Sequence, residues 1–475
     1  MSFFHSAIKN SFALALAAGL LNACRPDVPE APAPLPPVVV VPGIPTPPQY
    51  GTPFAAVPDR QDAVIYQVNM RAFSQGGNFA GVTARLDAIK ALNVNVLYLM
   101  PIYPVGKDSK AVNSPYAVQD YRAVNPEFGT LADLRTLVDA AHARGLSVML
   151  DWVPNHTSRD HPWITEHPDW YQKDAAGNII SPSSGTEVYN DVAALNFDST
   201  PMRQALISAM KSWVFTANVD GFRCDFADFQ PVNFWEQTVD TLRNIKTHKL
   251  LLLAEGTRKE HYEEEGFDYT FGFAFYEALQ AVYRNGAAAT SFDAFNNSEY
   301  IGATNGQHVV RYTTNHDKNG AKDGGTPFTL YGGDAGAMSA FVVAALYKGV
   351  PMVYNGQEAG MKQAIPFPFT SVKINFDGNP AVTQAYQQLL TARAGSAALR
   401  RGTPTAYSTA AVCAFTKTAG TEQAFVMVNT RNATVQYTLP PALANSNWTN
   451  ALRGGAVTLG SQVSLAPYAY VVLKK

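Results

Sequence analysis

Three carboxylic acids in this sequence stand directly after short apolar runs. Asp225 closes Val219-Asp220-Gly221-Phe222-Arg223-Cys224-Asp225, Glu255 closes the run from Leu250 to Ala254, and Asp317 follows Arg311-Tyr312-Thr313-Thr314-Asn315-His316. Bounded runs of this composition predict buried strands. One acid after one strand is as much a loop cap or an ion-pair partner as a catalyst, but three at successive strand ends point to a shared acid site. Two carboxyl groups about 5 to 5.5 Å apart suffice to break a glycosidic bond with retention, one attacking the anomeric carbon and the other protonating the departing oxygen. Arg223 precedes Asp225 by two residues and so shares its side of the strand,. Its cation is expected to hold Asp225 ionised as the nucleophile, leaving Glu255 as the proton donor. A plain ion pair between Arg223 and Asp151 is the competing reading, and the two are compatible.

Such acids work only if the strand ends converge. Eight apolar runs are found, at residues 63–68, 94–100, 147–152, 219–225, 250–255, 267–270, 309–314 and 351–354, separated by amphipathic stretches such as 83–92, 131–144, 202–216 and 233–245. Alternation of this kind predicts an α/β fold, a (β/α)₈ TIM barrel, which gathers the C-terminal ends of its strands on one rim. The barrel is expected over residues 59–395, with an inserted lobe at 157–200 where the chain is rich in Pro, Gly, Asp and Trp and lacks periodicity. From residue 396 short alternating strands, among them 411–416, 424–429 and 469–473, predict an antiparallel β-sandwich reaching residue 475,. Within it the surroundings of Trp448, like Trp152, Trp163 and Trp170 near the lobe, offer either sugar-stacking rings or ordinary core.

The N-terminus is different in kind. Lys9 precedes an apolar stretch from Phe12 to Leu21, too short to span a bilayer and suited to a signal peptide over residues 1–23,. It ends in Leu21-Asn22-Ala23-Cys24, which is similar to a bacterial lipobox apart from Asn22, so Cys24 is the expected lipid attachment point,. Residues 24–58 are dominated by Pro, Ala and Val and read as a linker,. The expected location is therefore outside the cytoplasm, lipid-anchored to a bacterial membrane in the periplasm or at the cell surface. Cys224 and Cys413 remain, without metal-binding or redox spacing, and are expected to be separate buried thiols. A formal charge of −2 with no basic run excludes nucleic acid and suits an uncharged partner,.

From Asp59 onward the chain resembles the α-amylase family of glycoside hydrolases. Asp151-Trp152-Val153-Pro154-Asn155-His156 is similar to the third-strand motif, Gly221-Phe222-Arg223-Cys224-Asp225 to the nucleophile motif, and Asn315-His316-Asp317 to the seventh-strand motif. The resemblance implies that Asp225, Glu255 and Asp317 are catalytic, with Asp317 gripping the distorted ring. It further implies that Arg223, His156 and His316 contact the same sugar and that Tyr116, in Ser114-Pro115-Tyr116-Ala117-Val118-Gln119-Asp120-Tyr121, is a stacking platform with Asp120 beside it. Two positions depart from many α-amylases: Asp228 and Phe229 stand where a sugar-binding Lys and a calcium-associated His are common. A structural Ca²⁺, with Asn155 as one ligand, is left open, and no cofactor is expected for the chemistry. The implied activity is retaining hydrolysis of α-1,4-glucosidic bonds in starch-like glucans or maltooligosaccharides. Glucosyl transfer is the alternative, and a non-catalytic glycan-binding lipoprotein the third. The expected partners are the glucan and, through the lipid, a membrane; a monomer is expected.

Overall fold

The computed structural model describes residues 46–319 and 325–475. The signal segment, Cys24 and the linker up to residue 45 lie outside the described residues. Eight parallel strands close a barrel: β1 (Ile65–Val68), β2 (Val96–Leu99), β3 (Ser147–Trp152), β4 (Gly221–Cys224), β5 (Leu251–Ala254), β6 (Tyr269–Phe271), β7 (His308–Arg311) and β8 (Val350–Tyr354). Each strand pairs with its sequence neighbours, and β8 pairs with β1 to complete the ring. All eight predicted runs are strands because a parallel strand is covered on both faces and therefore reads as unbroken apolar sequence.

Inward residues such as Ile65, Val96, Met149, Leu251, Val350 and Met352 fill the barrel, while Leu97, Val148, Phe222 and Leu252 face the helices. Burial of each such aliphatic side chain contributes about 1.5–3 kcal/mol. Gly221 opens β4 where a Cβ would stand 2.1 Å from the Leu251 carbonyl oxygen, so only glycine lets β4 lie against β5 at this point,. The helix Leu131–His142 begins with a reciprocal cap between Thr130 and Asp133,. Thr200–Ala217 and Val232–Arg243 form helices as the periodicity predicts, whereas the stretch 83–92 holds only the shorter helix Leu86–Ala91, with a separate short helix, Phe79–Thr83, before it.

The linker boundary at residue 58 is drawn too late by composition alone. The Tyr50 N–H donates to the Phe215 carbonyl at 2.7 Å, Asn218 donates to the Thr52 carbonyl at 2.8 Å, and Phe54 stacks on His142 with centroids 4.4 Å apart. Phe54 and Val57 join the interior cluster, closing the N-terminal end of the barrel opposite the catalytic rim.

The lobe after β3 pairs His156–Ser158 with Val192–Ala194 and Ser183–Ser184 with Glu187–Val188. Trp170 packs edge-on to Trp163 at 4.9 Å and stacks on His167 at 4.0 Å, and Trp152 is fully buried. Trp152 and Trp170 are core, and Trp163 packs against them half-buried.

C-terminal to the barrel, β9 (Thr403–Ala406), β10 (Val412–Ala419), β11 (Glu422–Asn429), β12 (Val435–Thr438), β13 (Asn447–Asn450), β14 (Ala456–Thr458), β15 (Gln462–Leu465) and β16 (Tyr470–Lys474) are antiparallel. They form a six-stranded sheet, order β9-β10-β11-β16-β13-β14, and a β12-β15 pair. Phe425, Met427, Tyr437 and Leu465 meet between the two sheets. Trp448 is buried there, its indole N–H donating to Ser446 Oγ at 2.8 Å, so it is not an exposed sugar platform. Cys224 and Cys413 are buried free thiols.

Candidate active site

Asp151 on β3 is the register partner of Arg223 on β4, and Arg223 in turn of Leu253 on β5, two residues before Glu255. Parallel pairing thus delivers the acids of three strands to one guanidinium. Arg223 Nη1 lies 2.7 Å from Asp151 Oδ1 and 2.9 Å from Asp225 Oδ1, and Nη2 lies 2.6 Å from Glu255 Oε1. Arg223 therefore meets Asp151 and Asp225 at once. Asp225 and Glu255 sit on neighbouring nitrogens of one planar group, which favours the close carboxyl spacing of retention over the wider gap that admits a water.

Asp225 differs electrostatically from the expectation. Burial pushes its pKa well up; Arg223 opposes this, while Glu255, Asp151 and Asp317 reinforce it. Sequence shows the nearest cation but not that the same cation is divided among three carboxylates. The negative charge on Asp225 is thus held at a cost, which suits a group that discharges by forming a bond to carbon,.

Glu255 is held at its second oxygen as well, by the N–H of Phe226 at 2.8 Å. Phe226 has a left-handed backbone (φ 51°), a conformation that is costly for a bulky side chain and is found where surrounding structure imposes it,.

A second chain of hydrogen bonds runs beneath the cleft. Gln67 Nε2 donates to His316 Nδ1 at 2.8 Å, His316 Nε2 donates to Tyr116 Oη at 2.7 Å, and the Tyr116 hydroxyl donates to Asp151 Oδ2 at 3.0 Å. Burial lowers the His316 pKa to about 4, with Arg223 adding to the effect, so the imidazole is neutral at neutral pH. A neutral ring accepts at one nitrogen and donates at the other, as this chain requires. His156 is likewise neutral, lowered to about 4 by burial, with Nε2 donating to the Tyr116 carbonyl at 3.2 Å. Tyr98 donates to Asp151 Oδ2 at 2.6 Å.

The cleft above encloses about 1340 Å³ of space open to solvent and is lined by Tyr116, His156, Asp225, Glu255, His316 and Asp317. Pro182, Glu187, Tyr189 and Asp191 of the lobe and Phe367 and Phe369 beyond β8 form its walls. The structure thus brings Asp225, Glu255, Asp317, Arg223, His156, His316 and Tyr116 together. Asp120 is the exception and a correction: it is exposed, does not line the cleft, and its carboxylate accepts from the Arg122 N–H at 2.8 Å in a local turn. Proximity to Tyr116 in sequence does not become proximity in space where the chain turns. Gln67 and Tyr98 were missed. A lone polar residue inside the β1 run was the available signal for Gln67; Tyr98 carries none.

Asn155, left open above as a Ca²⁺ ligand, has side-chain partners within the protein. The Asn155 amide oxygen accepts from Gln230 Nε2 at 3.2 Å, its amide nitrogen is 3.3 Å from His156 Nδ1, and Phe229 is exposed. Among the described residues no group of three or more His, Cys, Asp or Glu side chains is placed to hold a metal.

A family model described as "Alpha amylase, catalytic domain" matches residues 50–181 and 186–436. Alpha-amylase MalA of Haloarcula japonica is 30% identical over 322 residues, 65% of this chain and 46% of that protein. An alpha-1,4-glucan:maltose-1-phosphate maltosyltransferase of Rhodospirillum rubrum is 34% identical over 185 residues, 35% of this chain and 27% of its own. The chain thus spans less than half the length of these curated relatives. The crystal structure of an alpha-amylase from Lactobacillus plantarum superimposes with TM-score 0.75 at 28% identity, covering 88% of this chain and 99% of that one.

Proposed function

From the premise that this chain belongs to the α-amylase family of glycoside hydrolases, we propose that it hydrolyses α-1,4-glucosidic bonds of starch-like glucans or maltooligosaccharides with retention of anomeric configuration. The observation that carries the reading is the shared guanidinium: Asp225 and Glu255 are held side by side on Arg223 and both open into the cleft. Asp225 attacks the anomeric carbon from one face as Glu255 protonates the departing glycosidic oxygen. Glu255, now deprotonated, takes a proton from the water that releases the glycosyl ester. Asp317, at the rim with a side chain 56% exposed, grips the ring hydroxyls.

Glucosyl transfer uses the same intermediate and ends on a sugar hydroxyl instead of water, and one relative bears a maltosyltransferase name. The two are separated by incubating the purified full chain with maltoheptaose and following products and anomers by NMR. Shorter α-anomers formed first, and absent with Asp225→Asn, support hydrolysis with retention. Products longer than the substrate assign transfer, and initial β-anomers or no cleavage at all overturn the reading. The same proposal places the enzyme outside the cytoplasm, tethered through Cys24, on the strength of the apolar run that precedes it. Loss of membrane association on Cys24→Ser is the expected result.

A further inference from the structure

Asp228, three residues after Asp225, does not line the cleft, and its carboxylate turns instead to the segment after β5. Oδ2 accepts from the Thr257 N–H at 3.0 Å and Oδ1 from the Arg258 N–H at 3.3 Å, the second and third residues after Glu255. Oδ1 also meets His261 Nε2 at 2.8 Å, and the opposite ring nitrogen, Nδ1, lies 2.5 Å from Glu265 Oε2. His261 and Glu265 have fully buried side chains. The ring of contacts closes through Arg258, which pairs with Glu265 and donates to the carbonyls of Gln230 at 2.8 Å and Asp228 at 3.2 Å. Burial favours neutral His261, but Asp228 and Glu265 outweigh it and raise its pKa.

We infer that Asp228, backed by His261 and Glu265, is a positioning residue for Glu255. It pins the segment after β5 to the segment after β4, so that the carboxyl of Glu255 is presented to the glycosidic oxygen at a fixed height above Asp225. Two further contacts fit this role. The Ala227 N–H donates to the Glu255 carbonyl at 2.9 Å, so the backbone of Glu255 is tied on the near side as well. At Gly256 a Cβ would stand 2.2 Å from His261 Nε2 and 2.4 Å from Asp228 Oδ1, so only glycine lets the segment lie down on the pair. A displacement of about 1 Å at a catalytic group costs on the order of 10²-fold in rate, which sets the expected size of the effect.

The inference rests on the reading of Glu255 as the acid, and the leaving group separates the two. Fluoride departs without a proton, whereas the alcohol oxygen of a glucan needs one. Full-length wild type, Asp228→Asn, Glu265→Gln and Glu255→Gln are compared on maltoheptaose and on α-maltosyl fluoride, with thermal melts confirming folding. For Asp228→Asn, kcat on maltoheptaose is expected to fall about 10²-fold with KM little changed, and initial fluoride release less than about tenfold. Glu265→Gln shows the same split in smaller degree, which decides the matter if Asp228→Asn does not fold. Equal losses on both substrates, or none on either, would overturn the inference. If Glu255→Gln itself shows no split, the acid assignment falls, and with it the premise.

Discussion

Arg223 and Asp151 face each other across adjacent barrel strands, 2.7 Å apart and both fully buried. Because the same guanidinium also holds Asp225 and Glu255, Asp151 fixes from below the group that spaces the two reacting carboxyls from above. A lysine presents one point charge and cannot span the three. Arg223→Lys is therefore expected to lower kcat/KM for maltoheptaose by about 10²-fold or more. It should also cost about 3–5 kcal/mol of stability, the usual price of leaving buried charges unpaired. Urea unfolding beside steady-state kinetics checks both, and near-normal activity in the lysine variant would remove the spacing role.

Asp225 yields a prediction in which activity and stability move in opposite directions. Burial raises its folded pKa above the ordinary 3.8. The folded state therefore binds the proton more tightly than the unfolded state, and stability falls as pH rises through the folded pKa. Asp225→Asn carries no charge to be penalised. It should abolish turnover while melting at a higher temperature than wild type at pH 7, with the gap closing below about pH 4. Thermal scans from pH 3 to 8 test this; an Asn variant less stable at pH 7 would show that Arg223 dominates after all.

The hydrogen-bond chain from Gln67 through His316 and Tyr116 to Asp151 depends on a neutral imidazole, with a pKa lowered to about 4. Tyr116→Phe removes the central hydroxyl, taking from His316 Nε2 its 2.7 Å partner and leaving Asp151 with one donor fewer. A loss of about 1–3 kcal/mol is expected, independent of pH between 5.5 and 8 because His316 does not titrate there. A loss that varies across that window would mean the ring is charged.

Much of this was legible in sequence for one physical reason. Strands covered on both faces leave long apolar runs, and the acids that end them at Asp225 and Glu255 could only be rim residues once eight such runs were counted. What stayed hidden depends on contacts between distant segments. Phe54 and Val57 plug the barrel from within a Pro-rich stretch whose composition reads as tether. Tyr98 looked like any aromatic in a strand, and its hydroxyl acquires meaning only because β3 brings Asp151 to it. The charge balance at Asp225 was misjudged because Arg223 is near in sequence, whereas the three carboxylates that compete around it come from other strands. Asp228 was visible as a departure from the family pattern, but its partners His261 and Glu265 lie a whole strand further on.

Glu358, just beyond β8, makes the pH dependence of the barrel itself testable. Its carboxyl is buried and accepts from the Tyr66 hydroxyl at 2.5 Å. Burial lifts its pKa from 4.5 to about 7, the Tyr66 hydrogen bond opposing the rise. Between those values the unfolded chain has released the proton and the folded chain has kept it, so stability declines as pH rises from about 4.5 to 7 and levels off beyond. A shift of this size corresponds to about 3 kcal/mol lost across the window. Glutamine keeps the acceptor for Tyr66 and nearly the same volume but has no proton to lose. Glu358→Gln should therefore match wild type near pH 4 and exceed it at pH 8, flattening this part of the stability profile. Urea midpoints at four or five pH values suffice: a variant whose profile stays parallel to wild type would show that Glu358 is not held protonated in the fold.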